Sequence, residues 1–195
     1  MRRVVVIDDH PPSRRHLFTI LNNGGYEIAG EGASGKTALA LARTALPDVI
    51  LMAVGLADVD GIEASHDVMR SHPVPIVLIT SHCDEATVER AKRAGVMGYL
   101  VKPLRAEQLS PAVELAIIRF QDFLALRAEN SSLKETLEAR KVIERAKGLI
   151  MQQRHLSEDQ AYTLIKKASM NMRKPMVEIA QAIILAGGFM KGDKN

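Results

Sequence analysis

The chain has 195 residues, of which 47% are hydrophobic and 25% are charged, and its formal net charge is +3. This composition fits a soluble globular protein of one or two domains and excludes a chain too polar to bury a core. The apolar runs are shorter than the roughly 20 residues that a membrane span needs, so we expect a cytoplasmic protein. The single cysteine, Cys83, excludes an internal disulfide.

Short apolar runs alternate with segments of helical periodicity in the first 120 residues. The runs predict five strands, at residues 4–7, 26–31, 49–52, 74–79 and 98–101. The intervening helices are predicted at residues 12–21, 35–45, 61–71, 84–94 and 105–120. Strands covered by helices on both faces are continuously apolar, as these strands are. The pattern therefore predicts an α/β fold with a doubly wound, five-stranded parallel sheet.

Polar or small residues occur where the apolar runs end. Asp8 and Asp9 follow the first run, Ala53 follows the third, and Thr80 and Lys102 follow the last two. In a doubly wound sheet, ligands bind beyond the carboxyl ends of the strands, so these positions converge on one site. The adjacent carboxylates of Asp8 and Asp9 would repel each other, and a bound cation would relieve that repulsion.

This order of residues resembles the receiver domain of bacterial response regulators. The resemblance rests on Asp8-Asp9, on Asp-Val-Asp-Gly at residues 58–61, and on Gly-Val-Met-Gly-Tyr-Leu-Val-Lys-Pro at residues 95–103. It covers residues 1–118, which we assign as the receiver domain. It implies a phosphoacceptor aspartate at position 53 and a cognate sensor histidine kinase as a partner.

The resemblance also implies a cofactor and a set of switch residues. Magnesium would be held by Asp8, Asp9 and the backbone carbonyl of Gly55. The switch residues would be Thr80, Tyr99 and Lys102. Thr80 and Lys102 would contact the phosphoryl group, and Tyr99 would turn inward on activation.

Position 53 departs from the family because it is alanine, and a methyl group cannot accept a phosphoryl group. Magnesium binding should also be weakened. We rank three explanations in this order: a substitution that locks the chain unphosphorylated, a natural receiver that has lost its chemistry, or an acceptor shifted to Asp8, Asp9 or Asp58.

Residues 119–137 form the next region, within a segment that contains neither glycine nor proline until Gly148. The residues at heptad positions a and d are Phe123, Leu126, Asn130, Leu133 and Leu137. This pattern predicts a coiled coil, and an asparagine at an a position favours two strands, so we expect a homodimer. The alternative is an amphipathic helix that packs back on its own receiver domain.

Residues 138–195 form the third region, and they are rich in basic side chains. Residues 136–195 carry 11 basic and 6 acidic side chains, whereas residues 1–118 carry 12 basic and 14 acidic ones. A basic module favours a polyanionic partner such as nucleic acid. Ser157 and Gln160 have the spacing of a capping box, and Pro175 suits the start of a third helix, which should end before Gly187. A small all-α three-helix bundle is therefore expected after the coiled coil.

The same region resembles the ANTAR module of transcription antitermination regulators. The resemblance covers residues 136–187 and rests on Ala-Lys-Gly at 146–148, Ser-Glu-Asp-Gln-Ala-Tyr at 157–162 and Arg-Lys-Pro-Met-Val-Glu-Ile-Ala at 173–180. It implies binding to hairpin RNA in an mRNA leader.

Basic and aromatic side chains of this region are the candidate RNA contacts, because unstacked loop bases stack on rings and phosphates pair with cations. The first candidates are Lys147, Gly148, Arg154 and Tyr162. The further candidates are Lys166, Lys167, Arg173 and Lys174. Tyr162 has an alternative role as a core side chain with its hydroxyl at the rim.

The sequence therefore predicts a two-component response regulator that acts in transcription antitermination. The alternative is a response regulator that binds DNA, but its second and third helices would begin near Glu158 and Glu178, whose charges phosphates repel. A protein-interaction adaptor would leave the basic bundle unexplained. We do not expect an enzyme, since Gly-Lys-Thr at residues 35–37 lacks the spacing of a phosphate-binding loop.

Overall fold

The computed structural model describes residues 1–82 and 84–189, and Cys83 lies outside the described residues. The chain forms two compact units, and the boundary between them falls after Ala125. No helix in the described part of the chain is both long and apolar enough to cross a bilayer.

The first unit contains a five-stranded parallel sheet in the order β2-β1-β3-β4-β5. Its strands are β1 (Arg3–Ile7), β2 (Glu27–Gly32), β3 (Val49–Ala53), β4 (Ile76–Thr80) and β5 (Gly98–Val101). Its helices are α1 (Pro11–Asn23), α2 (Gly35–Thr44), α3 (Gly61–Ser71), α4 (Glu85–Arg93) and the first part of α5 (Ala106–Arg154). The predicted doubly wound α/β fold is confirmed.

The core of this unit lies on both faces of the sheet because successive strand residues point in opposite directions. Val4 and Val6 of β1 pack with residues of α1 and α5, whereas Val5 and Ile7 pack with residues of α2, α3 and α4. All four side chains are fully buried. Burial on both faces explains why β1, β3 and β4 are almost entirely apolar.

The loop after β3 is held close to the end of that strand by Gly61, the first residue of α3. A side chain on Gly61 would collide with the carbonyl oxygen of Ala53. The Gly61 N–H donates to the Val54 carbonyl at 2.7 Å. Only glycine permits this close approach, which places the start of α3 beside position 53.

Helix α5 is a single helix of 49 residues, so the predicted helix at residues 105–120 and the predicted linker helix are one element. The helix has no break at residue 119, and the predicted boundary between receiver and linker at that residue stays a prediction. No glycine or proline occurs between Pro111 and Gly148, so nothing in the sequence ends the helix there.

The second unit contains a three-helix bundle formed by the end of α5, α6 (Glu158–Met172) and α7 (Met176–Phe189). Its core contains Ala146, Ile150, Ala161, Ile165, Ile179 and Ala180. The predicted bundle is confirmed, and α6 begins with the predicted capping box of Ser157 and Gln160. The predicted end of α7 before Gly187 was wrong, because the helix continues to Phe189. Glycine inside a helix costs only about 1 kcal/mol relative to alanine, which neighbouring helical residues can offset.

Candidate functional site

The carboxyl ends of β1, β3, β4 and β5 surround a cavity of about 410 Å³. Its lining residues are Asp8, Asp9, His10, Ser13, Ala53, Gly55, Ile79, Thr80, Ser81 and Lys102. All of the predicted pocket residues except Tyr99 are in this set. Segments that are far apart in the sequence therefore meet at one edge of the sheet, as its topology requires.

Asp8 and Lys102 form the central ion pair of this cavity. Lys102 Nζ lies 2.7 Å from Asp8 Oδ2, and it also donates to Ser13 Oγ at 3.1 Å. Asp8 Oδ1 accepts the backbone N–H of His10 at 2.9 Å. The Asp8 side chain is 1% exposed and that of Lys102 is 27% exposed. The lysine thus neutralises a buried carboxylate.

Ala53 ends β3, is 3% exposed and lines the cavity, where its methyl group offers no oxygen ligand. Asp9 is exposed, and both oxygens of Asp8 already have partners. Among the described residues, no group of three or more histidine, cysteine or acidic side chains could hold a metal ion. Asp8, Asp9 and the Gly55 carbonyl can therefore offer magnesium only a reduced set of oxygen donors. Water would fill the remaining coordination positions of the ion.

Of the two predicted switch residues Thr80 and Tyr99, only Thr80 lines the cavity. Thr80 Oγ1 donates to the His82 carbonyl at 2.6 Å and accepts the His82 N–H at 3.2 Å. Tyr99 is 46% exposed and lies outside the lining of the cavity. The threonine hydroxyl is thus held by the loop after β4, whereas Tyr99 lines a separate groove with residues of α4 and α5.

Asp58 caps helix α2 and is not part of the cavity. Its carboxylate accepts the N–H of Gly35 at 2.9 Å and that of Lys36 at 3.4 Å. The hydrogen bond from Gly35 lowers the pKa of Asp58. This arrangement argues against a phosphoacceptor at Asp58. The amides at the start of α2 therefore bind a carboxylate of the protein itself.

In the second unit, Tyr162 lies on the outer surface of α6. Its side chain is 44% exposed, whereas its neighbour Ala161 is fully buried. Lys166 is one helical turn further along the same flank and is also exposed. The alternative in which Tyr162 is a core residue is therefore not supported. The other basic candidates that are exposed are Arg154, Lys167, Arg173 and Lys174.

Lys147 differs from these cations because it is only 6% exposed. Its ammonium group contacts Glu144 Oε2 at 2.9 Å and Glu158 Oε1 at 2.7 Å. This geometry contradicts our prediction of Lys147 as a lysine that is available for RNA phosphates. Three hydrogen bonds to two carboxylates satisfy a long side chain that packs between helices.

Gly148 follows Lys147 inside α5. A β-carbon at this position would meet no other atom within 4 Å in the described structure. Close packing of another helix of the same unit therefore does not explain this glycine.

The predicted dimerisation residues fall into two groups. Phe123 stacks on Phe120, with 6.2 Å between the ring centroids, and packs against the core of the first unit. Its assignment to a coiled-coil seam was wrong, because it already has an intramolecular partner. Leu126, Leu133 and Leu137 are 66%, 63% and 54% exposed, and Asn130 is also exposed.

Comparison with known proteins agrees with this architecture. Residues 4–114 match the response regulator receiver domain, and residues 131–184 match the ANTAR domain. The chain is 39% identical over 183 residues to the transcriptional regulatory protein PdtaR of Mycobacterium tuberculosis, which covers 94% of this chain and 89% of the relative. The chain belongs to the response regulators that carry an ANTAR domain.

Further similarities cover a shorter part of this response regulator. The response regulator protein VraR of Staphylococcus aureus is 36% identical over 113 residues, which are 57% of this chain and 54% of the relative. The signal receiver domain of a modulated diguanylate cyclase from Desulfovibrio desulfuricans G20 is 31% identical, with a TM-score of 0.58, and the match covers 62% of this chain and 97% of that one. The receiver domain of NarL from Mycobacterium tuberculosis is 30% identical, with a TM-score of 0.55, and covers 62% and 96%.

The sequence analysis of this response regulator missed Ser13 as a partner of Lys102 and both partners of Lys147. Ser13 has no motif of its own and lies 89 residues away from Lys102 in the sequence. Glu144 precedes Lys147 by three residues in the helix, which was a signal for an ion pair. Glu158 belongs to the next helix, so only the turn between α5 and α6 brings it to Lys147.

Proposed function

We propose that this response regulator binds hairpin RNA in nascent mRNA through its ANTAR domain and acts in transcription antitermination. The observation that carries the proposal is the exposed flank of α6, which presents the aromatic ring of Tyr162 beside Lys166. Loop bases are unstacked and can stack on such a ring, while lysine and arginine side chains pair with phosphates. A transcriptional regulatory protein among the relatives supports this role.

The receiver domain would be silent in this chain. Receiver domains generally bind magnesium at the phosphorylation site, and Asp8, Asp9 and the Gly55 carbonyl would hold it here. When bound, the ion would neutralise phosphoryl oxygens. Since Ala53 can neither accept a phosphoryl group nor bind the metal, a cognate sensor histidine kinase could not activate the chain at this position. We infer that the chain is held unphosphorylated, has no enzymatic activity of its own and acts in the cytoplasm, where mRNA is made.

Dimerisation would link the receiver to RNA binding. The exposed side chains of Leu126, Leu133 and Leu137 recur with heptad spacing along α5, and a second copy of the helix would cover them. In a dimer, two ANTAR domains would bind tandem hairpins. Binding of the first hairpin would raise the effective concentration of the second hairpin at the second ANTAR domain. Without phosphorylation we expect weak self-association and weak RNA binding.

The experiment is a titration of tandem-hairpin RNA with the full chain and with its Ala53→Asp variant, the latter treated with a small-molecule phosphodonor. Duplex DNA is the competitor. We expect the phosphorylated variant to bind RNA at least about tenfold more tightly than the Ala53 chain, which corresponds to about 1.4 kcal/mol of coupling. Intact-protein mass spectrometry confirms the phosphoryl adduct.

Two results would contradict parts of this proposal. Equal RNA affinity of the two proteins would show that the receiver does not control the ANTAR domain. Effective competition by duplex DNA would favour a DNA-binding response regulator instead.

A further inference from the structure

Lys147 joins two helices of the ANTAR domain through a buried charge. It lies on α5, seven residues before the end of that helix, and Glu158 is the first residue of α6. The Lys147 side chain is 7% exposed, whereas those of Glu144 and Glu158 are 54% and 68% exposed. The ammonium group is thus enclosed, and its two carboxylate partners stand between it and solvent.

The charge balance of this cluster disfavours a direct contact with RNA. One ammonium group faces two carboxylates, so the cluster of Glu144, Lys147 and Glu158 carries a net charge of −1. A phosphate that approached Lys147 would have to displace two anions that already satisfy it. The exposed Lys166 offers its charge without this competition.

Glu158 is well placed to orient the proposed RNA-binding flank. It lies one helical turn before Tyr162 on α6, so the two side chains share one side of the helix. The capping box of Ser157 and Gln160 holds the same end of α6. A bond from Lys147 to Glu158 therefore restrains the rotation of α6 relative to α5 close to Tyr162.

We propose that Lys147 is a positioning residue of the RNA-binding surface, which holds the first turn of α6 against α5 through Glu158 and makes no contact with RNA phosphate. This inference rests on the proposed RNA-binding function, because it assigns a role within that surface. It divides the basic side chains of the ANTAR domain into exposed ones that meet RNA and one buried lysine that orients them.

The experiment compares full-length Glu158→Gln, Lys147→Met and Lys147→Arg variants with Lys166→Met as the matched control. The hairpin RNA affinity of each is measured across a range of salt concentrations. Loss of one phosphate contact reduces the slope of log K against log salt by about 0.7–0.9, and we expect this reduction for Lys166→Met. We expect Lys147→Met and Glu158→Gln to weaken binding about fivefold at an unchanged slope, and Lys147→Arg to restore part of the affinity.

The change in RNA affinity caused by Glu158→Gln distinguishes a Lys147 that contacts phosphate from a Lys147 that orients α6. Asp159→Asn, at the adjacent exposed residue, is the control for the loss of one negative charge. Relative to this control, Glu158→Gln tightens RNA binding if Lys147 contacts phosphate and weakens it if Lys147 orients α6. Tighter binding, or a reduced salt slope for Lys147→Met, would overturn the proposal.

Amide hydrogen exchange of the free protein tests the same contact without RNA. We expect faster exchange of the backbone amides around Tyr162 in Lys147→Met and Glu158→Gln than in Lys166→Met, because α6 loses its restraint. Unchanged exchange in both variants would overturn the positioning role. If the unaltered chain binds no hairpin RNA, the proposed function fails, and the exchange measurement still decides whether Lys147 restrains α6.

Discussion

In the described part of the chain, the receiver and ANTAR domains each contain an ion pair with one buried partner, but the buried partners have opposite charge. In the receiver the acid is buried: the Asp8 side chain is 1% exposed and its partner Lys102 is 27% exposed. In the ANTAR domain the base is buried: the Lys147 side chain is 7% exposed, and its partner Glu158 is 68% exposed. The receiver therefore depends on its lysine, and the ANTAR domain depends on its glutamates.

This difference matters because an unpaired charge is costly only where water cannot reach it. Removal of Lys102 would leave a carboxylate in a protein interior, whereas removal of Lys147 would leave two carboxylates that water can solvate. The same lysine-to-methionine change should thus have unequal effects in the two domains.

The largest expected effect tests this inequality. Lys102→Met should reduce the free energy of unfolding of the receiver by about 2–3 kcal/mol, since Asp8 keeps only its bond from the His10 N–H. Lys147→Met should change the stability of the ANTAR domain much less. Denaturant unfolding followed separately in the two domains measures both values. Similar losses in the two variants would show that exposure does not set the cost of these pairs.

The next effect tests whether RNA recognition lies on the surface of the ANTAR domain. Tyr162→Ala should weaken hairpin RNA binding by about 1–3 kcal/mol through the loss of base stacking. Tyr162→Phe keeps the ring and should bind like the unaltered chain. Because the side chain is 44% exposed, neither change should alter the unfolding of the domain. Equal binding by the alanine and phenylalanine variants would exclude stacking on this ring.

Gly148→Ala, next to Lys147, should have opposite effects on the stability of α5 and on the affinity for RNA. In the described structure, no atom outside the adjoining turns of α5 lies within 4 Å of a β-carbon placed there, so alanine should stabilise α5 by about 1 kcal/mol. If the RNA backbone approaches this glycine, the more stable variant should bind RNA less tightly. Thermal unfolding and RNA titration on one protein preparation test the two halves of this prediction. Unchanged RNA affinity would remove Gly148 from the RNA interface.

The smallest effect concerns stability in acid. A hydrogen bond from the Gly35 N–H lowers the pKa of Asp58, and a hydrogen bond from Lys147 lowers the pKa of Glu158. A carboxyl group whose pKa is lowered by folding stabilises the protein fully at pH values above its pKa in the unfolded chain. This stabilisation is lost as the pH falls through its pKa in the folded protein. Asp58→Asn in the receiver and Glu158→Gln in the ANTAR domain should each flatten the loss of stability below about pH 4 in its own domain. An unchanged acid profile in either variant would mean that the carboxylate is not stabilised by its partner.

Most of the receiver could be predicted from the sequence because its signals are local and regular. The buried strands are short and continuously apolar, and glycine or polar residues follow them. The pocket followed from the sheet topology, which brings the ends of parallel strands together. Spacing alone could not predict the ion pair of Asp8 and Lys102, because 94 residues separate its members.

The ANTAR domain was less predictable because the roles of its charged side chains depend on burial. Lys147 and Lys166 are both lysines on amphipathic helices, and nothing local distinguishes a buried lysine from an exposed one. The turn between α5 and α6 brings Glu158 to Lys147, and only then does that lysine lose its exposure. In the same way, Phe123 had the spacing of a coiled-coil residue but stacks on Phe120.

The amino-acid sequence by itself determined the two domain types, the order of their helices and strands, the capping of α6 by Ser157 and the absence of an acceptor carboxylate at Ala53. The domain types and the acceptor position follow from the resemblance to known families, and the other features follow from hydrophobic periodicity and from the chemistry of single side chains. The tertiary structure decided which charges are enclosed, which leucines remain exposed on α5, and that Asp58 caps α2 outside the pocket. Burial and pairing depend on contacts between segments that are distant in the chain, so only the folded structure reveals them.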